Sequence, residues 1–519
     1  MSTPRQRGGQ ARFLRVQSAA MPSAGKKIVA STLWQLASQI TMAALSILGI
    51  KFVATALSLE MAGYYNSSYG YLQVFGILAD FGLYAVSVRE MSRSDRKEEV
   101  LSALIFLRSI ILTLSLGSAI LLAWILPSWH GTPLPLGITL AAFTPFFTLL
   151  AGTLRSVFQI HYRLNYVFIA EVSQRLLTTA MLGMVVFLGA RGSDNVNLFY
   201  FCTLIGGIGA LLLLILSYIY ARRFVTFAAR WHWPTMRYLL QSALPFGTAY
   251  LLLALCRQFD MTMIALLRPD FQIQNAYYGF VLRMGEMGFL IPTFLLNSIL
   301  PVVSERRERG ENTSDLLGKT FLVLLLLGTT AGLFAALWPR PLVAMLTTRD
   351  YLSTAAHPGA DTALRLASVP MFLYGFILFS FYMALVHGEW KRLMITLVTG
   401  AALSIGSNLI LIPQLGFVGA ATTAIIVQSL LVALLLPATL RYSQPKFPPT
   451  AFVRWFVFSL LLAVGLWITR PFLANDFLTA FGLVAAGAVL GILLWITGLA
   501  GLLGALHRRA LGLGGKSEI

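Results

Sequence analysis

Residues 245 to 301 read PFGTAYLLLALCRQFDMTMIALLRPDFQIQNAYYGFVLRMGEMGFLIPTFLLNSILP. Two apolar stretches, each long enough to cross a bilayer, flank a short polar loop. Inside them sit four ionisable residues: Arg257 with Asp260, and Arg283 with Glu286. The members of each pair are three residues apart, so on a helix they leave one face about a turn from each other. A mid-helix Arg costs roughly 2.5 to 3.5 kcal/mol on insertion, whereas a Leu returns only about 0.3 to 0.6 kcal/mol. A long apolar helix carries such a charge only by turning it toward protein or water. The stretch therefore predicts two membrane helices that line a polar cavity inside a bundle.

The rest of the 519-residue chain is of the same kind: 57% hydrophobic, 11% charged, with a mean hydropathy of +0.76. An ordinary soluble domain carries about 25% charged residues. The fold class is all-α polytopic membrane protein, with no polar gap long enough for a separate catalytic domain. At about 20 apolar residues per span, fourteen helices are expected, near 30–54, 62–88, 100–127, 136–157, 167–190, 199–221, 239–267, 276–303, 316–338, 361–386, 393–413, 417–440, 455–474 and 477–506. The narrowest separations are at Gln414 to Gly416 and at Asn475 and Asp476.

Lys and Arg recur in every second loop, as short cytoplasmic loops require. One side receives Arg89, Arg93, Arg96 and Lys97, then Arg222, Arg223, Arg230 and Arg237, then Arg306, Arg307, Arg309 and Lys319, and later Lys391, Arg392, Arg441, Lys446, Arg454, Arg508 and Arg509. Both termini are thus expected in the cytoplasm. The net charge of +19 follows from these loops, and no basic segment interleaved with aromatics suggests nucleic acid. The second and eighth spans open alike, AGYYNSSYGYLQVFG and NAYYGFVLRMGEMGF, which points to two six-helix repeats. The expected organisation is a basic tail over 1–28, lobes over 29–222 and 223–440, two further helices over 441–506 and a tail over 507–519.

No nucleotide-binding loop, HExxH motif or cysteine pair appears, and Cys202 and Cys256 both fall in apolar spans. Transport would be driven by an ion gradient, the membrane potential or the substrate gradient. The deep charges are the informative set. Antiparallel neighbours would bring Arg257, Asp260, Arg283 and Glu286 together, either as a salt-bridge cluster that fixes helix packing or as a site. In the second case Arg257 and Arg283 meet an anionic group while Asp260 or Glu286 takes up H+ or Na+. Glu171 and Arg175, four apart, either neutralise each other or face the same cavity. Arg108 and Arg365 stand alone and are expected to snorkel. Deep Arg (Arg108, Arg175, Arg257, Arg283) outnumber deep acids, which favours phosphate or carboxylate over a cation. Tyr64, Tyr65, Tyr69, Tyr71, Tyr277 and Tyr278 read as an interfacial aromatic belt or as a stacking surface for sugar rings.

Three stretches resemble the polysaccharide-unit (O-antigen type) flippases of the multidrug/oligosaccharidyl-lipid/polysaccharide (MOP) exporter superfamily. They are AGYYNSSYGYLQVFGILADFGLYAVSVREM from Ala62, LPFGTAYLLLALCRQFDMTMIALL from Leu244, and NLILIPQLGFVGAATTAIIVQ from Asn408. The resemblance implies two six-helix lobes that open alternately and move an oligosaccharide on undecaprenyl pyrophosphate from the inner to the outer leaflet of the cytoplasmic membrane. It implies a monomeric carrier, not an enzyme, surrounded by membrane lipids and serving a polysaccharide polymerase. On it, Arg175, Arg257 and Arg283 would hold substrate, with Asp260, Glu286 and Glu171 coupling an ion or pairing charge. A flippase of lipid II, the peptidoglycan precursor, a cation-coupled drug exporter and a scaffold for polysaccharide assembly remain as alternatives.

Overall fold

The computed structural model describes residues 38 and 41–499, except 81, 84–85, 87–89, 92–96, 162, 226–230 and 474. The expected tails, the first residues of the first span, the last of the fourteenth, and Arg89, Arg93, Arg96, Arg230, Arg508 and Arg509 lie outside the described residues. Fourteen long helices run through the rest. They are α1 (Thr41–Ala56), α2 (Leu59–Asp80), α3 (Lys97–Ile125), α4 (Leu134–Ile160), α5 (Leu164–Phe187), α6 (Val196–Ala221), α7 (Trp233–Gln258, continued by Asp260–Leu267) and α8 (Phe271–Glu308). The remainder are α9 (Ser314–Leu337), α10 (Ala360–His387), α11 (Trp390–Leu415), α12 (Phe417–Ser443), α13 (Ala451–Thr469) and α14 (Asp476–Ile496). Twelve are long and apolar enough to cross a membrane; α1 is shorter, and α2 carries Asn66, Ser67, Ser68 and Gln73 along its length. The chain is a multi-pass membrane protein.

Both narrow separations are real. Gly416 has φ +60°, a conformation other residues rarely adopt, and a side chain there would meet the Gln274 amide. It turns α11 into α12. Asn475 caps α14 by accepting a hydrogen bond from the Leu478 amide at 2.9 Å. The loop expected over 339–360 folds in part, into a short helix at Pro339–Leu346.

Helices α2–α6 pack on one another, with α1 against α5 where Phe52 adjoins Gly183; α7–α12 do likewise, with α13 laid on α9 and α14 on α13 and the short helix. The two groups meet mainly through α2 against α7 and α8, and α3 against α7. At the expected outer end the backbones nearly touch: a Cβ on Gly63 of α2 would lie 1.8 Å from the carbonyl oxygen of Gln272 on α8. Around it, Asn66 donates to the Asn275 carbonyl (3.2 Å), Asn275 to the Ser67 hydroxyl (2.9 Å) and Gln272 to the Tyr64 hydroxyl (2.9 Å). At the expected cytoplasmic end the seal is apolar, with Leu83, Val86, Leu104 and Leu107 packed on Met236, Leu239 and Ala243 of α7. Gly82, at φ +70°, ends α2 there and rests against Phe246 and Gly247. Between the two seals the facing surfaces stay partly open, and Glu286 in mid-α8 is exposed.

Candidate functional site

The local pairing expected of Arg257 and Asp260 is not made, because α7 breaks between them at Phe259. Asp260 opens the second segment, where a carboxylate suits the positive end of the helix. It is 1% exposed and its oxygens accept from Tyr278 Oη of α8 (2.8 Å) and Asn408 Nδ2 of α11 (2.9 Å). A buried carboxylate is retained only when hydrogen-bonded in this way. The Oδ1 atom of Asn408 is buried and unpartnered.

Arg257 turns the other way. Its guanidinium carbon lies 4.3 Å from the centre of the Tyr374 ring and 5.1 Å from that of Phe289, two rings themselves stacked at 4.0 Å. Arg283 repeats the arrangement on the opposite wall, 4.7 Å from Tyr65 and 5.3 Å from Tyr69 of α2. A guanidinium beside an aromatic ring gains about 0.5 to 2 kcal/mol, and the buried Nε of Arg257 has no hydrogen-bond partner. Among the described residues neither arginine forms an ion pair. Arg175 on α5 is within electrostatic range of Arg283, Tyr65 and Tyr69, and its buried Nε has no partner.

The neighbouring acids are occupied elsewhere. Glu171 does not pair with Arg175; it accepts from Arg155 Nη1 of α4 at 2.9 Å and from Ser38 Oγ at 2.7 Å. Glu286 does not pair with Arg283; it accepts from Gln73 Nε2 of α2 at 2.5 Å. Arg108 does not snorkel, being 1% exposed and paired with Asp80 of α2. The structure thus brings Arg175 and Arg283 together across the two groups, sets Arg257 beside the stacked Phe289 and Tyr374 on the second, and among the described residues gives none of the three an ion pair. Tyr64, Tyr65, Tyr71 and Tyr278 are buried within protein contacts, not arrayed at a lipid interface. Sequence spacing missed Arg155, Gln73, Phe289 and Tyr374, since each partner lies on a different helix. It also missed Lys51 of α1, which donates to the Met345 carbonyl of the short helix (2.8 Å) and approaches Asp476 of α14 (3.5 Å).

A family model described as "Polysaccharide biosynthesis protein" matches residues 28–305, more than half of the chain. The chain belongs to this family. Among solved structures it is similar to the lipid II flippase MurJ in an inward closed conformation, with TM-score 0.68 and 14% identity over 90% of this chain and 98% of that one. It is also similar to an inward-facing MATE multidrug transporter of the MOP superfamily (TM-score 0.53, 14% identity, 80% and 98% covered). A third is the MATE multidrug transporter DinF-BH (TM-score 0.57, 14% identity, 80% and 95% covered). At these identities the likeness is one of fold. No curated protein matches the sequence significantly.

Proposed function

We propose that this protein is an alternating-access flippase that moves an oligosaccharide linked to undecaprenyl pyrophosphate across the cytoplasmic membrane, from inner to outer leaflet. The observation that carries the reading is the set of three guanidiniums, Arg175, Arg257 and Arg283, held on or near aromatic faces with no carboxylate partner. A guanidinium that spends no donor on a carboxylate keeps its fork for phosphate oxygens, which it grips two at a time. A cationic drug would be repelled by the same site. Along α8 the side chains of Arg283, Glu286, Thr293 and Asn297 fall on one stripe, and Glu286 and Asn297 are exposed. That stripe supplies the alternating donors and acceptors that sugar hydroxyls need.

In this reading the outer contacts around Gly63 and the inner apolar cluster are the two gates. Asp260, buried in the interruption of α7 beside the free Asn408 oxygen, is the site for H+ or Na+ that drives the cycle. The protein acts as a monomeric carrier, not an enzyme, delivers its cargo to a polymerase, and keeps both termini in the cytoplasm. Lipid II offers the same diphosphate, and the MurJ-like fold favours it as the second reading. The test is export in cells carrying Arg257→Ala or Arg283→Ala. Surface polymer is expected to disappear while the protein still inserts and lipid-linked sugar accumulates in the inner leaflet; mass analysis of the released glycan separates the two cargoes. Normal export in both variants overturns the proposal.

A further inference from the structure

An apolar cavity of about 160 Å³ lies between α8, α9, α10 and the short helix, in the half of the bundle that includes Arg257. Every residue around it is Met, Gly, Phe, Pro, Leu or Ala, so its wall is mostly apolar and offers a sugar no hydroxyl, amide or charged side chain. Phe289 is part of its wall and is also one of the two rings that carry Arg257. Close packing bounds it: Gly328 of α9 sits so near α10 that a Cβ would meet the Phe372 carbonyl oxygen at 2.6 Å. Gly288, by contrast, has nothing within 4 Å of the Cβ it lacks. The cavity is partly open, and an apolar space of about 150 Å³ accommodates a benzene ring.

We propose that this cavity receives a branched five-carbon unit of a polyprenyl diphosphate, the unit nearest the diphosphate, with the head group at Arg257. The inference rests on the flippase reading and extends it to the lipid part of the cargo. The volume suits one isoprene unit, and Phe289, whose ring centre is 5.1 Å from the Arg257 guanidinium carbon, puts the charge beside the cavity wall. In a polyprenyl diphosphate the first branched unit is esterified directly to phosphate. A phospholipid interposes glycerol between phosphate and acyl chain, and so sets its acyl carbons farther from the charge.

The test uses the purified full-length protein in nanodiscs with a polyprenyl phosphate bearing a diazirine on the unit next to phosphate. A phosphatidylglycerol with the diazirine on its acyl chain is the comparison. After irradiation, the polyprenyl probe is expected to label Met284, Phe289 or Met371, and the acyl probe to label them at least tenfold less. Gly288→Leu and Ala331→Phe, which each fill the cavity, are expected to reduce polyprenyl labelling about tenfold or more. Equal labelling by the two probes assigns the cavity to bulk lipid and overturns the proposal, as does labelling unaffected by either filling variant. The assay reads binding without transport, so normal export in the arginine variants would remove the flippase reading and leave the labelling pattern intact, whereas loss of labelling alone removes only the cavity.

Discussion

Gly63→Ala is expected to part the two groups of helices at the expected outer end. The added Cβ would start 1.8 Å from the Gln272 carbonyl oxygen, and ordinary contact begins near 3.4 Å, so α2 and α8 must separate by roughly 1.6 Å. The obstacle is backbone, which has no rotamer to change. Hydrogen bonds of 2.9 to 3.2 Å at Asn66, Asn275 and Gln272 would stretch beyond bonding range. Three such bonds at about 0.5 to 1.5 kcal/mol each amount to about 3 kcal/mol, on the order of a hundredfold in the ratio of closed to open. Gly76→Ala is the control, because its Cβ would meet only Pro145 Cβ, at an ordinary contact distance of 3.9 Å. Both changes lie in α2 and gain the same helix propensity, so that contribution cancels between them. Spin labels at exposed Leu188 and Ala356, read by pulsed electron resonance, should show a longer distance population in Gly63→Ala and little change in Gly76→Ala. Identical distance distributions in the two variants would refute the reasoning.

Other perturbations are equally specific. Asn408→Leu removes one of the two donors to the buried Asp260 carboxylate and is expected to cost about 1.5 to 3 kcal/mol, read as a lower melting temperature with transport lost. Asp80→Ala strands the buried Arg108 guanidinium at about 3 to 5 kcal/mol, so expression should fall, and adding Arg108→Leu should restore it. In the α7–α8 loop, partial burial raises the Asp270 carboxyl, but hydrogen bonds from Arg268 and Gln274 outweigh this and hold it below the ordinary carboxylate range. Its contribution is present above the ordinary pKa of about 3.9 and is lost as pH falls through the lower folded value. Asp270→Asn should therefore lower the melting temperature at pH 7 and match the wild type in strong acid.

The helix count and the two tight turns were legible because they rest on local chemistry: apolar length, a glycine with positive φ at Gly416, a capping Asn475. The excess of deep arginines was legible too, since insertion costs act on each residue separately. Partner choice was not. Spacing along one helix offers Arg175 to Glu171 and Asp260 to Arg257, but packing delivered Arg155 from α4 and Tyr278 with Asn408 from α8 and α11. The interruption at Phe259 carries no proline or glycine to announce it. It becomes visible only once Asp260 is seen held by two other helices.

Lys51 has a consequence for any rocking of these lobes. Its single ammonium joins α1 to the last carbonyls of the short helix and to the first turn of α14, while Trp338 and Trp455 bolt α13 to α9 through the Leu466 carbonyl and the Thr329 hydroxyl. The C-terminal hairpin is therefore a strap with α13 bolted to α9 and its turn tied to α1, and a swing of one half against the other must first part Lys51 from Asp476. Chains built without that hairpin would swing with no such brake.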